Sequence, residues 1–305
     1  MRVLEAFSAS DIFAHCLEMI KDDRRQIDDS DVVYYFRGER RNYEDPYSAQ
    51  PAHKAPEPGV FRGGSLKYES DIFNEALRTF PEEFKDDRTT FEILTRMQHY
   101  GYKTRLLDIT PRIATAIAVM RQPDSTGKKW DDSPGFIHVY RVKSNRIKYS
   151  TGDTVTALAN LARIKSDRVR IDNLRYLVDE CKNDRAGYFY AEGSEETERL
   201  KKDIQKVWCV RPVMNNRRIN VQIGEFFIFG CGDRKSPIEA TFSECDYFRE
   251  ESPTEGMARI GAVVISPEAK KDVDANAQYL DSSLERIYPD FHYHSQQTNE
   301  RFKNG

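Results

Sequence analysis

Apolar side chains recur along this chain at spacings of three to four residues in some stretches and of two in others, which marks out helices and strands in order. From Thr89 to Tyr100, the positions of Phe91, Leu94, Met97 and Tyr100 predict a helix, stopped by Gly101 just past its C-cap. Thr104 to Ile109 then reads as a short strand. Thr110 suits the N-cap of a following helix and Pro111 its first position, with Ile113, Ala114, Ile117 and Ala118 on the apolar face. Upstream, the pattern predicts a helix from Ser10 to Asp22, a strand from Val32 to Phe36 and a helix from Glu69 to Phe84. Downstream, Gly135 to Val142 alternates as a strand, while Asp153 to Ile164 and Asp167 to Cys181 have helical spacing. Val207 to Val213, Asn220 to Gly230 and Arg259 to Ile265 are the late strands, followed by helices at Ala269 to Gln278 and Ser282 to Ile287. Two stretches break the pattern. Residues 45–63, with Pro46, Pro51, Pro56 and Pro58, are too long for a connecting turn and read as a loop with a job. Residues 182–206 are dominated by charge and read as a surface excursion.

This order predicts an α+β fold: a mixed, mainly antiparallel sheet flanked by helices, in one domain over residues 1–305 with a C-terminal helical extension at about 266–305. Composition narrows the picture. With 39% hydrophobic and 11% aromatic residues, 305 residues can bury a sizeable core. No stretch approaches the roughly 18 apolar residues of a membrane span, and the first residues lack the apolar region of a signal peptide, so a cytoplasmic protein without a membrane partner is expected. The five cysteines, Cys16, Cys181, Cys209, Cys231 and Cys245, have neither zinc-site nor disulfide-framework spacing and read as free thiols. A net charge of −3 from 47 basic and 50 acidic residues exerts no global pull on nucleic acid, although Arg40-Arg41, Arg62 and the arginines from Arg211 to Arg218 leave a local patch open.

Polar residues inside the apolar pattern are the candidates for chemistry. Arg37 ends an apolar strand, a costly place for an unpaired charge. Its explanations are an exposed strand end, an internal salt bridge to Asp108, or a planar fork gripping phosphate or carboxylate. Gly38 beside it lets a ligand or another backbone approach closely. His99 in the last turn of its helix is explained either by the helix dipole or by a site, and Tyr100, Tyr102, Arg105 and Asp108 crowd the same ten residues. Arg105 and Asp108 form either a buried register-fixing pair or part of that site. At the start of a late strand stand Gln222 and Glu225. Phosphate-binding glycine loops, nucleophile elbows and metal-ligand spacings beyond a weak His292-x-His294 are absent, and no metal is expected.

Tyr35-Phe36-Arg37-Gly38 and Gln98-His99-Tyr100-Gly101-Tyr102-Lys103-Thr104-Arg105-Leu106-Leu107-Asp108-Ile109-Thr110 together resemble the FRG domain family, named for its Phe/Tyr-Arg-Gly motif. The resemblance is close from about Asp31 to Val142, and looser at Arg218 to Phe227, for an FRG-like region of about 31–230. It departs at Lys103, usually Pro in the family, and at Ile109, often Trp. The order of the three constellations also resembles, at the level of fold, the ADP-ribosyltransferase layout, in which a first-strand Arg holds the phosphates of NAD and a late Glu serves the reaction. The resemblance implies a nucleotide-using enzyme that transfers ADP-ribose from NAD to a macromolecular acceptor, protein or nucleic acid, in bacterial toxin or phage-defence biology. Its rival is a non-catalytic module that binds a nucleotide or nucleic acid. Under the first reading Glu225, Gln222 and His99 are catalytic, and Arg37, Gly38, Tyr100, Thr104, Arg105, Asp108 and Thr110 hold the ligand.

Overall fold

A computed structural model of the chain describes residues 2–27, 30–45, 47–50, 56–124, 126–188, 195–213, 224–238, 242–243 and 247–280. Gln222, Cys245, His292, His294 and the helix expected at 282–287 lie outside them.

Among the described residues eight strands form two mixed sheets of four instead of the single sheet expected. In the first, β1 (Arg2–Ala6), β8 (Met257–Ile265), β4 (Gly135–Lys143) and β2 (Val32–Glu39) lie side by side in that order. The second runs β3 (Leu106–Ile109), β7 (Glu225–Phe229), β6 (Val207–Arg211) and β5 (Ile147–Tyr149). Each sheet has one parallel pair, β1 with β8 and β5 with β6, and the remaining pairs are antiparallel. A backbone bridge joins the sheets, where Phe36 N–H donates to the Thr110 carbonyl at 2.7 Å and Thr110 N–H returns to Phe36 at 2.9 Å.

The helices cover the outer faces. Against the first sheet lie α1 (Ala9–Gln26), α5 (Ile113–Arg121) and α9 (Pro267–Asn276), joined in one core by Ile12, Cys16, Ile117, Met120, Ala269 and Val273 with Phe36, Val139 and Val263. Against the second lie α2 (Glu69–Thr79), the short α3 (Pro81–Phe84), α4 (Thr90–His99), α6 (Asp153–Asn160), α7 (Arg175–Asp184) and α8 (Glu195–Ile204), around Phe91, Leu94, Leu158, Phe226 and Ile228. A third core fills the space where the sheets face one another, with Tyr35 and Tyr140 from one meeting Leu107, Ile109 and Phe227 from the other. The excursion expected at 182–206 is therefore only partly one. Helix α8 places Leu200 and Ile204 in the core, because charges on its outer side leave an apolar stripe facing in. No helix among the described residues is long and apolar enough to cross a membrane.

Local chemistry explains most boundaries. Helix α4 opens with a capping box, Thr89 accepting from Glu92 N–H and Glu92 reaching back, and closes as expected with Gly101 at φ 82°. Helix α5 starts later than expected, after Arg112. The reason is that Thr110 is held in the bridge to Phe36 and its hydroxyl accepts from Arg112 N–H at 3.2 Å. Pro81 breaks the long helix expected from Glu69 to Phe84 into α2 and α3. Part of the 45–63 stretch lies outside the described residues, and from Gly59 the chain winds through 3-10 turns that bury Val60, Phe61 and Leu66 between the sheets.

Gly38 has a structural cause. A Cβ there would stand 2.0 Å from the Ala116 carbonyl and 2.9 Å from Met120 N, so the missing side chain is what lets the α5 backbone rest on β2. The close approach is that of another backbone. Gly38→Ala is expected to cost about 3 kcal/mol in denaturant unfolding by forcing α5 off the sheet; a loss below about 0.5 kcal/mol would show that α5 is not seated there.

Candidate functional site

The seam between the sheets opens on one side into a narrow cleft of about 420 Å³, its open mouth included. Its walls come from β2 (Phe36, Arg37, Gly38), the end of α4 (His99), β3 and its exit (Asp108, Ile109, Thr110), α5 (Thr115, Ala116, Val119) and the start of β7 (Gly224, Phe226). Five residues singled out in the sequence thus meet here: Arg37, Gly38, His99, Asp108 and Thr110.

Arg37 spans the seam. Its Nη1 donates to the Asp108 carbonyl at 2.8 Å and its Nε to Glu39 at 3.4 Å, while Nη2 donates to no described residue. Its side chain keeps 17% of its exposure. Burial works against the charge, but the carboxylates of Glu39 and Asp108 outweigh it and leave the guanidinium above its ordinary pKa. Of the explanations open for Arg37, the salt bridge to Asp108 is replaced by a bond to the backbone carbonyl of Asp108, with Glu39 as the carboxylate partner. Glu39 is itself buried and lies 3.2 Å from His138 Nε2. Burial alone would raise its carboxyl; the bond and charge of His138, with the charge of Arg37, hold it down to about 2.

Asp108 is fixed by two other residues of the motif. Thr104 donates its hydroxyl to Gln98 Oε1 at 2.5 Å, and Gln98 Nε2 donates to Asp108 Oδ2 at 3.0 Å. Thr104 is buried and does not line the cleft; it acts on it through Gln98. Close by, α5 begins after Arg112 with no side chain bonded at its N-cap, and this helix end favours negative charge.

The remaining candidates go elsewhere. Arg105 is fully buried and does not pair with Asp108. Its Nε and Nη2 grip Glu69 at 2.9 and 2.5 Å, its Nη1 donates to the Phe229 carbonyl at 2.8 Å, and Lys235 Nζ joins Glu69 at 3.0 Å. Alternation explains the separation of partners: Asp108 points toward α4, and Arg105 finds its carboxylate on α2 instead. Tyr100 is 61% exposed, and its hydroxyl donates to Glu83 at 3.1 Å. Glu225 opens β7 as expected but is turned into the space between the sheets, opposite to Asp108 and Phe226. There it accepts from the Tyr35 hydroxyl at 2.6 Å and lies 3.3 Å from Arg211 Nε. Burial pushes its carboxyl up, against the bonds from Tyr35 and Arg211. It is not part of the cleft lining.

Three residues of the site carried no assignment from sequence: Gln98, Glu39 and Thr115. Glu39 was readable in principle, since it follows Arg37 by two on the same strand and so shares its face. Two roomier hollows, one by Asp87, Phe91 and Arg96 and one by Tyr149, Asp153 and Arg199, gather none of the motif residues. Among the described residues no group of three or more His, Cys, Asp or Glu side chains is placed to hold a metal ion.

The family model of the FRG domain matches residues 33–126, just under a third of the chain, and this segment contains both motif halves and nearly the whole cleft. Neither curated proteins nor solved structures yield a match.

Two outcomes test this assignment of roles. Arg105→Gln takes the guanidinium away from the buried Glu69 and the Phe229 carbonyl, leaving Lys235 as the one cation on Glu69 among the described residues, and is expected to cost about 3–5 kcal/mol in unfolding free energy, whereas Asp108→Asn, at the cleft wall, should stay within about 1 kcal/mol. Equal losses would return Arg105 to the site or Asp108 to the core. Glu39 sets an acid limb: because its folded pKa is depressed, its stabilisation is complete above about pH 4.5 and is lost as pH falls toward 2. The unmutated protein should therefore lose on the order of 3 kcal/mol more than Glu39→Gln across that window, and parallel acid limbs would rule the pairing out.

Proposed function

We propose that the FRG-like segment binds a phosphate-bearing nucleotide in this cleft. One observation carries the reading: Arg37, anchored through Nη1 and Nε, has an Nη2 that donates to no described residue, in a cleft that also takes in Thr115 from the first turn of α5. A guanidinium fixed at two of its nitrogens is pre-organised to give a charge-assisted bond, and helix N–H groups add the second half of an anion site. NAD is the member of this class favoured by the resemblance to ADP-ribosyltransferases.

ADP-ribosyl transfer to a macromolecule, in a toxin or phage-defence setting, is the second reading. It requires a carboxylate beside the ribose, where cleavage of the nicotinamide bond builds positive charge. Asp108 is the acidic residue of the cleft wall, so it takes that place in the reading, and Glu225, held by Tyr35 and Arg211 between the sheets, does not. Gln222 lies outside the described residues. His99 would face the ligand from the far wall.

Thermal unfolding with NAD, ADP-ribose and ADP tests the binding. A ligand at a hundred times its Kd should stabilise the unmutated protein by about 2.7 kcal/mol, and Arg37→Lys should weaken it about tenfold because a point charge replaces the fork. Absence of stabilisation by all three, or equal stabilisation of parent and variant, would overturn the reading. Nicotinamide release in the presence of protein and DNA acceptors separates enzyme from module.

A further inference from the structure

We infer that the cleft selects ribonucleotides over bare phosphates, with Asp108 Oδ1 accepting a sugar hydroxyl of the ligand and with Gln98 and Thr104 as the positioning residues that aim it. This rests on the nucleotide-binding reading above and adds to it the part of the ligand that confers specificity.

The direction of each hydrogen bond in the chain behind Asp108 is dictated. Leu106 N–H donates to Thr104 Oγ1 at 3.2 Å, so the hydroxyl proton of Thr104 is free to go to Gln98 Oε1 at 2.5 Å. That bond settles the orientation of the Gln98 amide, since its oxygen must face Thr104. The NH₂ group is thereby turned to Asp108, where it donates to Oδ2 at 3.0 Å. Oδ2 is taken, and Oδ1 accepts from no described residue, yet Asp108 lines the cleft. The Arg37 guanidinium stands on the carbonyl of this same residue, so a donor and an acceptor that meet no described residue both belong to the cleft lining. Inorganic phosphate satisfies the donor alone and meets a carboxylate of its own sign. A nucleotide satisfies both, with its phosphate on Arg37 and a ribose hydroxyl donating to Asp108. Sites built to bond a hydroxyl discriminate strongly against analogues that lack it, because the buried acceptor is left unpaired.

Asp108→Asn reverses this polarity. Gln98 still presents an N–H, which claims the new side chain's carbonyl oxygen and leaves its NH₂ toward the ligand. An acceptor in the cleft becomes a donor, and the negative charge is gone.

Calorimetric titration of the full chain with ADP, 2′,3′-dideoxy-ADP and inorganic pyrophosphate reads the inference directly. The unmutated protein is expected to bind ADP at least about tenfold more tightly than the dideoxy analogue. Asp108→Asn should bring the two within about twofold while binding pyrophosphate as well as the parent or better. Gln98→Leu should lower the ADP preference and leave pyrophosphate unchanged, whereas a merely structural role for Gln98 would weaken all three ligands alike. Equal binding of ADP and dideoxy-ADP by the unmutated protein, with pyrophosphate also bound, would overturn the hydroxyl contact and leave phosphate anchoring standing. A preference that survives Asp108→Asn would do the same. Failure of all three ligands to bind would overturn both this inference and the reading beneath it. The comparison on the unmutated protein decides even where a variant fails to fold.

Discussion

A fully buried guanidinium is the constraint around which the second sheet is arranged. Arg105 has no contact with water, and an isolated charge in such a place would be prohibitive. Its neighbours are therefore polar groups drawn from far along the chain: Glu69 at the start of α2, the Phe229 carbonyl at the end of β7, and Lys235, whose ammonium also donates to the carbonyls of Leu161 and Ile164. Burial works against the charge of Glu69, but the charges of Arg105 and Lys235 outweigh it and keep its carboxyl below the usual range. Four segments meet at this point, and each would leave an uncompensated charge or carbonyl if it moved. Such a knot adds little net stability over an apolar core of the same shape, but it leaves few other ways to assemble the parts.

With Arg105 anchored, the rest of the motif falls into place by alternation. Leu106 and Asp108 project toward α4, while Leu107 and Ile109 project between the sheets. The same thirteen residues, Gln98 to Thr110, thus do three separate jobs. Arg105 ties the interior, Thr104 and Gln98 set the direction of a hydrogen-bond chain, and His99 with Asp108 reaches the cleft. A dense run of polar residues in sequence had suggested one site, whereas the structure spreads them over a core, a relay and a wall.

Much of this was legible before the structure. Local signals were sufficient for α4, with its apolar spacing and terminal glycine, and for β2, β4 and the late strands. Arg37, His99 and Asp108, grouped because they break apolar patterns close to predicted element ends, line one cleft. What escaped was non-local. Strand β1 is five residues long, and its partner in β8 lies about 260 residues further on, so nothing nearby announces it. The partition into two sheets depends on which edges pair, which periodicity does not encode. The partners of Arg105 lie 36 and 124 residues away, so the nearest acid, Asp108, was the natural but wrong choice. Gly38 was recognised as a point of close approach, although whether the approaching group was ligand or helix could be told only from α5.

Glu225 shows how much rests on a single step of strand register. Its neighbours Gly224 and Phe226 both line the cleft, so a shift of one residue in β7 would deliver a carboxylate to the wall opposite Arg37. The register of β7 on β3 excludes it: Asp108 is paired with Phe226 and Ile109 with Glu225, which sends Glu225 between the sheets. There the bond from Tyr35 joins a strand of one sheet to a strand of the other. The cleft takes Arg37 from the first sheet and Asp108 and His99 from the side of the second, so its width depends on how the two sheets are held. Across that seam near the site act the Phe36–Thr110 bridge, the bond from Arg37 to the Asp108 carbonyl and contacts of the Tyr35–Glu225 kind. A residue at the position of Glu225 can therefore matter to ligand binding without touching the ligand, by fixing the separation of the two walls that do.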